Sequence, residues 1–174
     1  MRANFALALA AFAALFLANC STSRAPPPRP VTVLPSEAAA LTPAIYMQVA
    51  SNVALFAVRA SQLAEQRSTD GGLRSSARVI AADQRGVGSQ LSFAGRRLDL
   101  LPRDNLPAAM EADLASLAQS GDFDREYRRL VGQALARALE AHELFARAGS
   151  SATLRPVAAM AAPVTRRDLN AVRR

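Results

Sequence analysis

One imidazole, one thiol and fourteen carboxylates are the groups through which this 174-residue chain could do chemistry. The imidazole is His142 and the thiol is Cys20; all 21 basic residues are Arg, and Trp is absent. A single His cannot supply the two Glu-x-x-His pairs of a helical di-metal centre, where i and i+3 spacing sets both ligands on one inward face. Glu140 stands two residues before His142, on another side of a helix. One Cys likewise excludes an internal disulfide and any Cys/His zinc cluster. Serines are present, but no Gly-x-Ser-x-Gly elbow exposes one beside a base. Gly86-Val87-Gly88 lacks the third glycine, the strand and the ribose-binding acid of a dinucleotide loop; closer helix packing or a soft spot explains it better. The residues therefore point to no catalytic set, no metal site and no cofactor. Three polar groups still merit attention: Gln84, His142 and Asp168 each fall on an otherwise apolar stripe.

Those stripes define the elements that must position them. Apolar residues recur at alternating steps of three and four, the signature of helices packed along a seam. Thr42 followed by Pro43 predicts a helix start, a hydroxyl cap and then proline in the first turn. That helix presents Val49, Val53, Phe56, Ala60 and Leu63, and stops at Asp70-Gly71-Gly72. The second presents Leu73, Ala77, Ile80, Gln84, Val87, Leu91, Ala94 and Leu98. Pro102 and Pro107 bracket the next connection, and a shorter helix then carries Met110, Leu114 and Leu117 and ends at Gly121. Asp122 caps a fourth, showing Tyr127, Val131, Leu135, Ala138, His142 and Phe145 before the break at Gly149-Ser150-Ser151. The last shows Leu154, Val157, Ala161, Val164 and Asp168, with Pro156 in its first turn and Pro163 expected to kink it. Phe93, Phe123 and Tyr127 are expected in the core. Buried polar groups cost about 1–3 kcal/mol each when unpaired, so Gln84, His142 and Asp168 should bond one another, a water or an inward Arg.

The length allows one domain of ordinary size. Hydrophobic residues make up 51%, but 39 of them are Ala, and aromatics are only 5%, so helices are favoured over a β-sandwich or barrel. The expected fold is all-α: an antiparallel up-and-down four-helix bundle with an additional short helix, over residues 42–172. The net charge of +7 is concentrated at the two ends. Residues 1–36 and 164–174 contribute +3 each, whereas 37–163 hold 14 Arg against 13 acids of alternating sign. A nucleic-acid binder gathers its cations on one face, commonly with aromatics for stacking, so no nucleic-acid partner is expected. The terminal cluster Arg166, Arg167, Arg173 and Arg174 complements a helix dipole, and alternatively contacts anionic lipid.

The N-terminus carries an address. Arg2 precedes an unbroken apolar run from Phe5 to Leu17, long enough for a signal peptide and too short to span a bilayer. Leu17-Ala18-Asn19-Cys20 resembles the bacterial lipobox, where a Leu three before and a small residue two before the Cys precede diacylglyceryl attachment to the thiol. Asn19 departs from the Gly, Ala or Ser usual there, and the alternative is an ordinary secretory signal with Cys20 lost or left free. Residues 1–19 then form the signal peptide, and 20–41 form the lipidation site and linker. Five prolines between Arg24 and Pro35 make that linker a semi-rigid extended spacer, or alternatively a proline-rich ligand. Ser21 lacks the Asp that resemblance to inner-membrane lipoproteins would require, which directs the expectation to the periplasmic face of the outer membrane. Soluble periplasm or secretion is the alternative.

Three further patterns belong together: Ala54-Leu55-Phe56 leading to Gln66-Arg67-Ser68, then Gly121-Asp122-Phe123-Asp124-Arg125-Glu126-Tyr127, then Ala162-Pro163-Val164 with Arg166-Arg167-Asp168-Leu169. They resemble the bacterial family numbered 4142 among the domains of unknown function. That resemblance implies an exported, often lipidated, ferritin-like helical bundle. Its typical Asp-His pair reads Asp83-Gln84 here, its His eight residues after the Tyr reads Leu135, and its His before a C-terminal Leu reads Asp168. Acidic residues common in the first helix correspond to Ala57 and Arg59, and only His142 matches an imidazole position. The reading is thus a non-enzymatic envelope lipoprotein, attached to membrane lipid through acylated Cys20, whose bundle is a structural or interaction module. The alternatives are a ferritin-like metal-binding or stress-related protein with a residual polar site, and a small-ligand carrier.

Overall fold

The computed structural model describes residues 41–174. The signal peptide, Cys20 and all but the last residue of the linker lie outside the described residues. Those described form five helices and no strand: α1 (Pro43–Arg67), α2 (Gly71–Arg96), α3 (Ala108–Gln119), α4 (Phe123–Ala148) and α5 (Leu154–Val172). None of them is long and apolar enough to cross a membrane.

Helix starts follow the capping residues. The Thr42 hydroxyl accepts from the Ile45 amide at 3.2 Å, with Pro43 in the first turn. One Asp70 carboxylate oxygen accepts from Gly72 and Leu73, and Asp122 accepts from Arg125. Each pairs an amide that the helix leaves without a partner. The end of α2 is set by Asp99, which takes a left-handed φ of 54° and lets the Leu100 amide return to the Gly95 carbonyl at 3.0 Å. A Cβ on Gly95 would come within 2.5 Å of the Leu100 carbonyl oxygen, so that close approach needs glycine. Pro156 sits in the first turn of α5, and α5 runs through Pro163 as one helix, so Pro163 does not end it. Pro163 is exposed, as is Ala159, whose carbonyl loses its intrahelical donor there and can turn to water.

The four long helices close a ring of contacts: α1 with α2, α2 with α5, α5 with α4, and α4 with α1. The short α3 touches α1 and α4. The inward stripe of α1 differs in detail from the spacing argument. Ala50 and Ala64 are buried where Val49 and Leu63 are half-exposed, because the small residue fits where helices approach most closely and the larger one covers the flank. Phe93 departs further. It is 51% exposed, off the Val87–Leu91–Ala94 stripe, with the guanidinium groups of Arg96 and Arg97 over its ring at 5.6 and 5.0 Å. Phe123 and Tyr127 are buried as expected.

Gly86 lies in the exposed interior of α2, and nothing would meet a Cβ built there. Close packing therefore does not explain it. Gly86→Ala is expected to stabilise the fold by roughly 0.8–1 kcal/mol, since alanine costs less backbone entropy in a helix. A urea unfolding midpoint that fails to rise would refute this.

Candidate functional site: a buried polar band

The apolar interior is divided in two. One cluster takes Val53 onward from α1, α2 as far as Ile80, α4 as far as Ala138, and Leu169 and Val172 of α5. The other takes Tyr46, Met47 and Ala50 of α1, Val87 onward from α2, α4 from Ala141 and α5 as far as Ala161. At the change-over each long helix carries buried polar residues: Ser51 and Asn52 on α1, Gln84 on α2, His142 on α4, Thr165 and Asp168 on α5. All three residues singled out from the sequence are therefore inside, each about 1% exposed.

The structure joins two of the three. Gln84 donates its amide to Asp168 at 2.8 Å, linking α2 to α5. Immediately beside them, Arg167 donates to Asp83 at 2.7 Å. Adjacent residues on α2 thus meet adjacent residues on α5, one pair buried and one at the surface. Burial raises the Asp168 carboxyl to about 7. The Gln84 amide opposes that rise, the Asp83 carboxylate adds to it, and Arg167 opposes it.

His142 is not part of that pair. Its Nδ1 lies 3.0 Å from the Tyr46 hydroxyl, and Tyr46 in turn stacks on Phe145 with ring centres 4.2 Å apart. Burial alone depresses the imidazole to about 4 and raises the phenol well above its ordinary value. Both groups are therefore neutral near pH 7, and the hydroxyl can donate to an unprotonated Nδ1. A third buried pair, Ser61 with Tyr127 at 2.8 Å, ties α1 to α4.

Tyr46 was missed by the spacing argument, yet a signal existed. Steps of three and four extend the first stripe back from Val53 and Val49 to position 46. Nothing local could have matched it to a His 96 residues away. The Thr165 hydroxyl is buried without a partner among the described residues, one helical turn before Asp168. The terminal arginines divide as well: Arg166 pairs with Glu143 and Arg167 with Asp83, while Arg173 and Arg174 are exposed past the end of α5.

A ferritin-type metal pair would need several carboxylates and imidazoles converging on one point. Here Asp168 faces an amide and the Nδ1 of His142 faces a phenol. Among the described residues no three of His, Cys, Asp or Glu are grouped so as to hold an ion. The residues present do not fit such a centre. Chemically, the Gln84–Asp168 and Tyr46–His142 pairs can cross-link helices and fix their register, since each group finds its partner in only one alignment.

No curated protein and no solved structure matches the chain. A family model described as a domain of unknown function, DUF4142, does match, over residues 30–174. That span takes in every described helix and most of the sequence, and on it the chain belongs to the DUF4142 family.

Proposed function

We propose that this protein is a lipid-anchored module of the bacterial cell envelope, on the periplasmic face of the outer membrane, with a structural or interaction role and no catalytic one. In this reading Cys20 carries the acyl chains and the proline-rich segment holds the helical unit away from the membrane. The four long helices form an up-and-down, ferritin-like bundle with α3 as the additional short helix. The observation that carries the non-catalytic part is the pairing of the band. The side chains best suited to chemistry, Asp168 and His142, are each engaged by a neighbouring helix through Gln84 and Tyr46. The lipobox-like Leu17-Ala18-Asn19-Cys20 supports the anchor. Each buried methylene of an acyl chain contributes about 0.8 kcal/mol, so more than one chain on Cys20 would hold the protein at the bilayer. Arg173 and Arg174 are the terminal arginines available to anionic lipid, because Arg166 and Arg167 already have carboxylate partners.

Metabolic labelling with radioactive palmitate tests the anchor. The wild-type chain is expected to take up label and to fractionate with membranes, and Cys20→Ser to do neither. An unlabelled wild-type protein would leave ordinary secretion as the account of residues 1–19.

A further inference from the structure

Charges that alternate in sign along the chain are sorted by the fold. Residues 71–97 and 154–174, which hold α2 and α5, carry ten Arg against two acids, Asp83 and Asp168. The other described residues carry eight Arg against eleven acids. In the ring of helices α2 and α5 are neighbours, whereas α3, with Glu111 and Asp113 and no Arg, packs on the opposite pair, α1 and α4. One side is therefore basic, and no helix among the described residues covers it. Its two acids are occupied: Asp168 is buried and Asp83 is held by Arg167. Arg85, Arg96, Arg97, Arg155, Arg173 and Arg174 have no carboxylate partner among the described residues.

The same side also exposes apolar groups. The Asp83–Arg167 pair marks the surface seam between α2 and α5. Val79 and Gly86 lie one turn either side of Asp83, and Phe93 lies two turns beyond Gly86. Pro163 and Met160 lie one and two turns before Arg167. All five are exposed, Val79 at 54%, Phe93 at 51% and Met160 at 39%. Leu91 and Ala94 of α2 share a core cluster with Leu154 and Ala158 of α5, so the two helices run antiparallel. From the Asp83–Arg167 crossing, that register brings Phe93 level with the turn from Val157 to Met160.

We propose that the α2–α5 side docks on an anionic bilayer surface, with Val79, Phe93 and Met160 entering the headgroup region and the unpaired arginines meeting lipid phosphates. A helical face binds the membrane interface through buried apolar area together with attraction of its cations to anionic headgroups, the two properties joined here. Each Arg close to such a surface contributes about fivefold to binding. A nucleic acid would engage the guanidinium groups but leave Val79 and Met160 uncovered, and Phe93 is the one aromatic residue of α2 and α5 on which a base could stack. A second copy of the chain would set arginine against arginine. The proposal rests on the envelope reading only for the bilayer met in the cell; docking does not require an acylated Cys20.

The chain has no Trp, so a single introduced Trp reports its own surroundings. Full-length Cys20→Ser protein, which has no thiol to acylate, is made with Phe93→Trp, with Met160→Trp or, on the exposed face of α3, with Ala115→Trp. Vesicles of mixed phosphatidylglycerol and phosphatidylcholine should move the emission of the first two to shorter wavelength and make them quenchable by brominated acyl chains. The α3 probe should not respond, and phosphatidylcholine alone should move none of them. Residues 1–41 are common to all three proteins, so differences among the probes belong to the helices. In the Phe93→Trp protein, adding Arg85→Gln and Arg97→Gln should raise the lipid needed for half the shift by about twentyfold, against no more than about twofold for Arg137→Gln on α4. These arginines are exposed, so the unfolding temperature should not move. Silence of both face probes on anionic vesicles, an equal response on phosphatidylcholine or at α3, or an Arg137→Gln effect as large as that of the pair would each overturn the proposal. So would tighter binding of a duplex oligonucleotide than of the vesicles, or an emission shift of Phe93→Trp that appears on concentrating the protein without lipid.

Discussion

Asp168→Asn is expected to make the protein more stable at pH 7.5, by on the order of 2–4 kcal/mol, and to change the slope of stability against pH below neutrality. In the fold, burial keeps the Asp168 carboxyl protonated to about pH 7, whereas its ordinary value is 3.8. Between those limits the native state binds more protons than the unfolded chain, so stability falls as pH rises through the window. The loss is complete above about pH 7. Asparagine avoids it: its carbonyl oxygen accepts from Gln84 as the carboxylate does, and it carries no charge to desolvate. His142 works in the opposite direction. Its folded value of about 4 against an ordinary 6.5 means that the unfolded chain binds more protons between those limits. Stability attributable to His142 is therefore present above pH 6.5 and lost as pH falls towards 4.

Wild-type protein should accordingly show little net slope from these two groups between about pH 4 and 6.5, because their contributions oppose. Asp168→Asn should expose the histidine term, with stability rising across that interval. Urea unfolding of both proteins at a series of pH values from 4 to 8 reads this directly. Superimposable curves would mean that Asp168 ionises as freely in the fold as out of it.

His142→Ala should cost roughly 3 kcal/mol. The imidazole is fully buried, so its removal leaves a cavity, and the Tyr46 hydroxyl loses its partner at 0% exposure. For a helical unit of this size that corresponds to a fall in unfolding temperature of about 10 °C. Tyr46→Phe should cost only about 1 kcal/mol, since the ring and its stacking on Phe145 remain. The double variant should then lose less than the sum of the two, by about 1 kcal/mol, which isolates the pair from the cavity. Metal content should be the same in wild type and His142→Ala. A stoichiometric ion in the first that is absent from the second would restore the metal-binding reading.

Helix positions were legible because helical periodicity and capping are local. Thr42 and Asp122 mark starts through bonds to amides three residues away, whereas Asp70, legible as part of a turn, also caps the helix that begins at Gly71; runs such as Leu73–Ala77–Ile80–Gln84 mark an inward face without knowledge of what it faces. The same periodicity placed Gln84, His142 and Asp168 inside. The core expectation for Phe93 rested on its aromatic character alone; the periodicity itself leaves it off the Val87–Leu91–Ala94 stripe, where it is exposed.

Periodicity and capping residues, read along the chain, determined that this protein is helical and, in outline, which faces turn inward. Pairing was decided only by the tertiary structure. Whether a buried Asp meets an amide or a His, and whether that His meets a phenol, depends on contacts between residues 84 and 96 positions apart. Those contacts also decide protonation, because burial, the main cause of both shifts, arises when other helices displace water from around the group.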